Sequence, residues 1–306
     1  MRVGIVGLGR MGANLALAAI DHGHEIIGYD PQEHVRNRLA GEGVTPATSL
    51  RELVSRLNRP RVVLIYVPHG EPTERACEHL RTVAADGDVI VDGGNSHWRD
   101  SRRRHDEFAA HAIGFLDVGT SGGLSGARNG ACFMAGGERR HYDIVEPLLR
   151  DLAYDDRATL FVGPPGAGHF VKLIHNAIEF GMVESIAEGA EMLSRSEYQL
   201  DLPALFDNWN HGSVIRSWLV ELMRDGLERV SDFAELSTYV EDTGEVKWVL
   251  GWALDRDIPS PVISESQQAL MSSRDLDSVS AKAVALLRNA FGGHPVHGRS
   301  EQLVRT

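Results

Sequence analysis

Apolar positions along the chain follow two rhythms. Up to Pro164-Pro165-Gly166, short apolar runs alternate with stretches of helical periodicity; the runs are Arg2 to Val6, Glu25 to Tyr29, Arg61 to Val67, Asp88 to Asp92, Gly114 to Val118 and Ala131 to Ala135. Such alternation predicts an α/β fold built on a doubly wound parallel sheet. Beyond that punctuation, apolar residues recur at helical spacing over Phe170 to Leu193, Val214 to Leu227, Tyr239 to Leu254, Pro261 to Met271 and Val279 to Phe291. Alternating runs almost vanish there, so an all-helical domain is expected. The strongest turn signal sets the expected division at residues 1–165 and 166–306.

The first strand runs into Gly7-Leu8-Gly9-Arg10-Met11-Gly12, and the helical stretch Ala13 to Asp21 follows. A G-x-G-x-x-G between a strand and a helix lets the backbone turn tightly and approach a pyrophosphate, which the helix N-terminus then meets. The sheet is thus expected to be Rossmann-type. Asp30 ends the second strand 18 residues past Gly12, where an acid can accept hydrogen bonds from ribose hydroxyls. The same charge repels a 2'-phosphate, so NAD is favoured as cofactor; Arg36 and Arg38 leave NADP open. Val67-Pro68-His69, at the end of a later strand, is expected to form a further cofactor wall, although an ordinary strand-to-helix turn suits its local sequence equally well.

The next strand ends in Asp92-Gly93-Gly94-Asn95-Ser96. Its glycines permit close backbone approach, and Asn95 offers both a donor and an acceptor. Thr120-Ser121-Gly122-Gly123 ends another strand with hydroxyls and bare amides suited to a carboxylate or polyol, although such a cluster also suits a plain turn. Lys172, His175, Asn176 and Glu179 stand at i, i+3, i+4 and i+7, which stacks them on one helix face. A candidate base, a candidate acid and two hydrogen-bonding side chains then line one wall.

Composition narrows the picture. The 306 residues are 42% hydrophobic and 24% charged, enough for two cores, and the formal net charge of -12 argues against nucleic-acid or anionic-membrane partners. An anionic substrate then needs a local basic cluster. Cys77 and Cys132 are too few and too far apart for a disulfide framework or a thiolate cluster. The histidine pairs His22/His24 and His294/His297 are read as non-metal pairs, so no metal is expected. No run reaches the roughly 20 apolar residues of a spanning helix, and no secretory signal opens the chain. A cytoplasmic protein is expected.

Gly7 to Gly12, Asp92-Gly93-Gly94-Asn95-Ser96-His97, Ser121-Gly122-Gly123, and the run from Gly166 through Lys172-Leu173-Ile174-His175-Asn176-Ala177-Ile178-Glu179 together resemble the 6-phosphogluconate dehydrogenases, decarboxylating members of the beta-hydroxyacid dehydrogenase superfamily. The resemblance covers nearly the whole chain and is to the short form of the family. Arg288-Asn289-Ala290-Phe291-Gly292-Gly293-His294 is similar to the family's Arg-x-x-Phe-Gly-x-His tail. The resemblance implies Lys172 as general base and Glu179 as general acid. It implies Asn95, Ser121, Gly122, Gly123, His175 and Asn176 as contacts to the sugar acid, Arg216 as a phosphate ligand, and Arg288 and His294 as tail contacts. It further implies a sugar-acid phosphate substrate and a homodimer or homotetramer in which the tail reaches a neighbour's site.

Two positions depart from the family pattern. Phe180 stands where a tyrosine is common, and Thr243 where the long form has a lysine four residues before its Lys-Trp pair. Phosphate affinity would then rest more heavily on Arg216 and Arg288. Two other readings stay open at this point: a related enzyme acting on an unphosphorylated hydroxyacid, and a non-catalytic nucleotide-sensing protein.

Overall fold

The computed structural model describes residues 1–230, 233, 236–275, 277–292 and 295. They form two compact units. One comprises Met1–Glu179 and Glu245–Asp257, the other Phe180–Gly244 and the residues from Ile258 onward.

The first unit begins β1 (Arg2–Val6), α1 (Arg10–Asp21), β2 (Glu25–Tyr29), α2 (Glu33–Ala40), β3 (Thr45–Pro46), α3 (Leu50–Ser55), β4 (Val62–Ile65), α4 (Glu71–Val83), β5 (Val89–Asp92) and α5 (Trp98–Ala109). It continues with β6 (Gly114–Ser121), α6 (Gly123–Asn129), β7 (Cys132–Gly137), α7 (Arg139–Asp151) and β8 (Thr159–Gly163). The eight strands form one sheet in the order β3-β2-β1-β4-β5-β6-β7-β8. Strand order reverses between β1 and β4, and in open α/β sheets a crevice opens at the carboxyl ends of the strands at such a point.

The central strands are apolar throughout because both faces are covered. Successive residues point to opposite faces. Val3, Ile5, Val62, Leu64, Val89 and Val91 therefore join the core containing Leu15 of α1 and Leu148 of α7. Val6, Val63, Ile65 and Ile90 join the core containing Leu53 of α3, Leu80 of α4 and Phe108 of α5.

The sheet departs from the expected all-parallel form at one place. β6 and β7 pair antiparallel, from Leu116 opposite Gly137 to Ser121 opposite Cys132. Residues 122–131 are too short a link for a parallel crossover, which takes a dozen or more residues. β3 and β8 also escape the sequence pattern. β3 is a two-residue edge containing Pro46, and β8 is an edge strand with Leu160 turned to solvent, so neither shows a buried alternation.

α8 (Ala167–Ser194) follows. Its start is held by Asp117 of β6, whose Oδ1 accepts from the Gly166 N–H at 2.8 Å and whose Oδ2 accepts from the His169 N–H at 2.9 Å. A side chain from a neighbouring strand thus satisfies two otherwise orphaned helix amides. Burial pushes the Asp117 carboxyl pKa up, against the pull of His169 and these two donors. Glycines make the approach possible: a Cβ at Gly168 would lie 2.1 Å from the Asp117 carbonyl oxygen, and one at Gly119 would lie 2.4 Å from Lys172 Cβ.

The second unit contains α9 (Leu202–Asn210), α10 (Trp218–Arg229), α12 (Pro261–Ser272) and α13 (Val279–Gly292), whereas α11 (Glu245–Leu254) belongs to the first. Ala190, Phe206 and Val220 form a small core among α8, α9 and α10. α9 is absent from the expected elements, though Asp201 caps it, accepting from the Ala204 N–H at 3.1 Å, with Pro203 in its first turn. α10 starts at Trp218 rather than Val214, and α11 at Glu245 rather than Tyr239. No helix among the described residues is long and apolar enough to cross a membrane.

Asp117→Ala leaves two buried N–H groups without acceptors and should cost about 2–6 kcal/mol, at roughly 1–3 per unmade bond. A urea melt reads this directly; an unmoved midpoint would remove Asp117 as the anchor of α8.

Candidate active site

The loop between β1 and α1 fits a dinucleotide pyrophosphate. Gly7 has φ +89°, and a Cβ at Gly12 would sit 1.9 Å from the Gly7 carbonyl oxygen, so neither position accepts a side chain without rearrangement. Gly9 leads into α1 with no side-chain cap and no acid in the first turn. The positive helix end, with Arg10 and Met11 in its first turn, is thereby left for an anion. Asp30 is buried; its Oδ2 accepts from the Leu8 N–H at 3.0 Å and its Oδ1 from the Gln32 N–H at 2.9 Å. The carboxylate is held in place with lone pairs to spare for hydroxyl donors. Arg36 Nη1 donates to the carbonyls of Asp30 (2.6 Å) and Pro31 (3.2 Å).

Val67, Pro68 and His69 follow β4, and the Pro68 carbonyl accepts from Thr73 Oγ1 at 2.9 Å. His69 meets the Trp248 ring edge-on, with centroids 5.2 Å apart, so α11 borders this wall. Below it the Tyr66 ring lies where a Gly93 side chain would be, with its hydroxyl 3.0 Å from Thr120 Oγ1. Burial pushes the Tyr66 phenol up to about 12, so it stays protonated.

Lys172, His175, Asn176 and Glu179 form one connected group. Lys172 Nζ lies 3.3 Å from His175 Nδ1, His175 Nε2 lies 3.1 Å from Ser121 Oγ, and Asn176 Oδ1 lies 3.3 Å from His175 Nδ1. Glu179 Oε2 is 3.8 Å from the same Nδ1. A neutral His175 with its proton on Nε2 donates to Ser121 and leaves Nδ1 to accept from the lysine. His175 is therefore the hub of the group. Beside it, Gly122 (φ +117°) and Gly123 (φ +61°) open α6 in conformations that disfavour side chains and keep the backbone bare next to Ser121.

Asn95 stands in the loop after β5. Asp92 shapes that loop, accepting from Gly94 N–H (3.1 Å), Ser96 Oγ (2.8 Å) and the fully buried Arg104 Nη1 (3.0 Å). Asn95 Nδ2 donates to Glu245 Oε1 at the start of α11.

Lys172 is 9% exposed, and burial pushes its pKa down, against the carboxylates of Glu179 and Glu245 and the thiol of Cys132. Burial, then the Lys172 charge, lowers His175 as well. The chain holds only three lysines, Lys172, Lys247 and Lys282, against 31 lysines and arginines together. Lysine, unlike arginine, can give up its proton near neutrality when buried. Its use here suits a base.

The other expected site residues belong to the second unit or fall outside the described residues. Arg216, just before α10, and Arg288, on α13, are exposed residues of the second unit, and His294 falls outside the described residues. Phe180 and Thr243 also belong to the second unit. His24 uses both ring nitrogens, 2.9 Å from the N-terminal amine and 2.9 Å from Asp151 Oδ2. Among the described residues no group of three or more His, Cys, Asp or Glu is placed to hold a metal. Sequence reading missed Glu245, Asp117 and Gly119. Glu245 looks like an ordinary first-turn acid, Asp117 like one polar residue in a strand, and Gly119 carries no local signal at all.

Comparison with known proteins shows the family. The NAD binding domain of 6-phosphogluconate dehydrogenase matches residues 2–163, and the C-terminal domain of 6-phosphogluconate dehydrogenase matches residues 168–302. YqeC of Bacillus subtilis (strain 168), provisionally named a 6-phosphogluconate dehydrogenase, is 40% identical over 294 residues, 96% of this chain and 98% of its own length. The NAD(+)-dependent, decarboxylating 6-phosphogluconate dehydrogenase of Haloferax volcanii is 35% identical over 297 residues, 97% of this chain and 98% of its own. Among solved structures, Plasmodium falciparum 6-phosphogluconate dehydrogenase superposes with a TM-score of 0.82 at 26% identity, over 99% of this chain and 68% of that one. A 3-hydroxyisobutyrate dehydrogenase from Salmonella typhimurium shares the fold, with a TM-score of 0.76 at 22% identity over 90% of this chain and 95% of its own. The protein is thus an oxidoreductase with an NAD-binding Rossmann domain, and the chain belongs to the 6-phosphogluconate dehydrogenase family.

Proposed function

We propose that the protein converts 6-phosphogluconate to ribulose 5-phosphate and carbon dioxide by oxidative decarboxylation, with NAD as the favoured cofactor. The observation that carries this reading is the buried, pKa-depressed Lys172 linked through His175 to Ser121 and Glu179. Bound nicotinamide dinucleotide supplies the hydride acceptor. Gly7, Leu8, Gly9, Arg10, Met11 and Gly12 cradle its phosphates, Asp30 takes its ribose hydroxyls, and Val67, Pro68, His69 and Asn95 border its nicotinamide end.

Neutral Lys172 takes the proton of the substrate's C3 hydroxyl as C3 gives up its hydride, leaving a beta-keto acid. The resulting ammonium polarises the new C3 carbonyl, the bond between C2 and the C1 carboxylate breaks, and carbon dioxide departs. Glu179 then protonates the former C2 of the enediol, which becomes C1 of ribulose 5-phosphate. Asn95, Ser121, Gly122, Gly123, His175 and Asn176 hold the sugar acid. No metal is needed, because the ammonium serves as electron sink. Arg216 and Arg288 receive the phosphate through planar guanidinium forks. In this reading residues 1–165 serve the dinucleotide and residues 166–306 serve the substrate and a homodimer or homotetramer, with Arg288 and His294 of the tail entering a neighbour's site.

The Asp30 carboxylate favours NAD, since it opposes a 2'-phosphate, and Arg36 is engaged with backbone carbonyls. The Haloferax volcanii relative and one of two Bacillus subtilis relatives are named NAD(+)-dependent, whereas the Plasmodium falciparum enzyme is described with NADP+. A second reading, turnover of an unphosphorylated hydroxyacid, is favoured by Phe180 and Thr243, where two groups suited to a phosphate are missing.

Steady-state assays with 6-phosphogluconate and with gluconate, each with NAD and NADP and with carbon dioxide release followed, separate these readings. Preference for 6-phosphogluconate with NAD is expected, and its absence refutes the proposal. Lys172→Met should bind NAD as the wild type does and lose turnover about 10²–10⁴-fold, the range for a general base; retained turnover excludes the base role. Glu179→Gln should slow protonation after decarboxylation more than substrate binding, as read by partitioning of the intermediate. The profile of kcat/KM should rise with pH as Lys172 deprotonates, with a midpoint below the roughly 10.4 of a free lysine; a limb at or above that value contradicts a buried base.

A further inference from the structure

Glu245 has no part in the chemistry above, yet it sits inside the same group of residues. It opens α11, the segment by which the chain returns to the sheet-bearing unit after residues 180–244. The residue is only 6% exposed and its Oε1 accepts from Asn95 Nδ2. Burying a carboxylate is costly unless its lone pairs are used, so this placement calls for an account.

A carboxylate accepts and cannot donate, so it dictates which end of the Asn95 amide it meets. The NH2 end turns to Glu245, and the carbonyl oxygen is directed elsewhere. Held this way, Asn95 presents an acceptor suited to a hydroxyl rather than to a carboxylate or phosphate. The charge of Glu245 has a second effect. Lys172 meets His175 on its own helix, and the charges of Glu179, of Cys132 on β7 and of Glu245 on α11 all raise its pKa against burial. Glu179 is about half exposed, whereas Glu245 is buried and adds its own smaller pull toward the ammonium form.

We propose that Glu245 is a positioning residue of this site: it fixes the Asn95 amide with its carbonyl oxygen left for a substrate hydroxyl, and it steadies the ammonium form of Lys172. The inference rests on the reading of Lys172 as base and Asn95 as substrate contact. It explains how one buried lysine serves twice, as a neutral amine that takes a proton and then as a cation that polarises a carbonyl.

Two measurements test it, one of which needs no substrate. With only three lysines, selective 13C labelling at Cε gives three titrating NMR signals, and the one missing from Lys172→Met is assigned to Lys172. In Glu245→Gln, which keeps shape and an acceptor, the Lys172 midpoint should move to lower pH; an unmoved midpoint overturns the charge role whatever the substrate is. For the amide, KM and kcat are compared among wild type, Glu245→Ala, Asn95→Ala and the double variant, each first checked for an unchanged thermal melt. Glu245→Ala should raise KM roughly tenfold, the value of one hydrogen bond, and the double variant should be no worse than Asn95→Ala alone. Losses that simply add overturn action through Asn95. Absence of wild-type turnover with 6-phosphogluconate would instead overturn the proposed reaction, and the NMR titration would stand apart from it.

Discussion

The seating of α8 on the sheet is the constraint on which the site depends. Asp117 binds the first amides of the helix, and Gly119, Gly136 and Gly168 remove the side chains that would hold the backbones apart. A Cβ at Gly136 would lie 2.5 Å from the Gly168 nitrogen, and one at Gly168 would lie 2.6 Å from the Met134 carbonyl oxygen. Contact is therefore backbone to backbone, and rigid. Its effect is to press Lys172 against β6 and out of water, and burial there is the first cause of its lowered pKa. Sheet packing and proton affinity are one problem in this chain.

Charge placement follows the same economy. Arginine serves the structural ion pairs: Arg104 lies buried against Asp92 at 3.0 Å and Glu74 at 2.6 Å, where a permanently charged fork can satisfy two carboxylates. Lysine is kept for very few places, one of them the buried wall at Lys172, where burial lowers its pKa. The buried Asp92–Arg104 pair in turn shapes the loop that carries Asn95, so a structural charge pair and the candidate chemistry share one strand end.

Much of this is legible in the amino-acid sequence. β1, β2, β4, β5 and β6 announce themselves because strands covered on both faces must be apolar throughout. The glycine fingerprint and Asp30 could be read because a pyrophosphate and a ribose impose local spacing. Lys172 to Glu179 could be read because helical periodicity alone puts them on one face. What escaped was non-local. The antiparallel turn of β6 and β7 depends on loop length, the edge strands β3 and β8 lack a buried pattern, and Asp117 acts on residues 49 and 52 positions away. Glu245 is separated from Asn95 by 150 residues, and no local window holds both.

That last separation bears on how the protein is made. The sheet-bearing unit is discontinuous: it takes Met1–Glu179, then waits for Glu245–Asp257. On the ribosome, β1 to β8 and the start of α8 can emerge and pair while the partner of Asn95 is still unsynthesised. Loop-closure entropy makes such a late, distant contact slow to form. A nascent chain halted before α11 would hold a sheet and a nucleotide loop but an uncovered Asn95. Completion of the sheet-bearing unit is thereby deferred until Glu245–Asp257 have been translated.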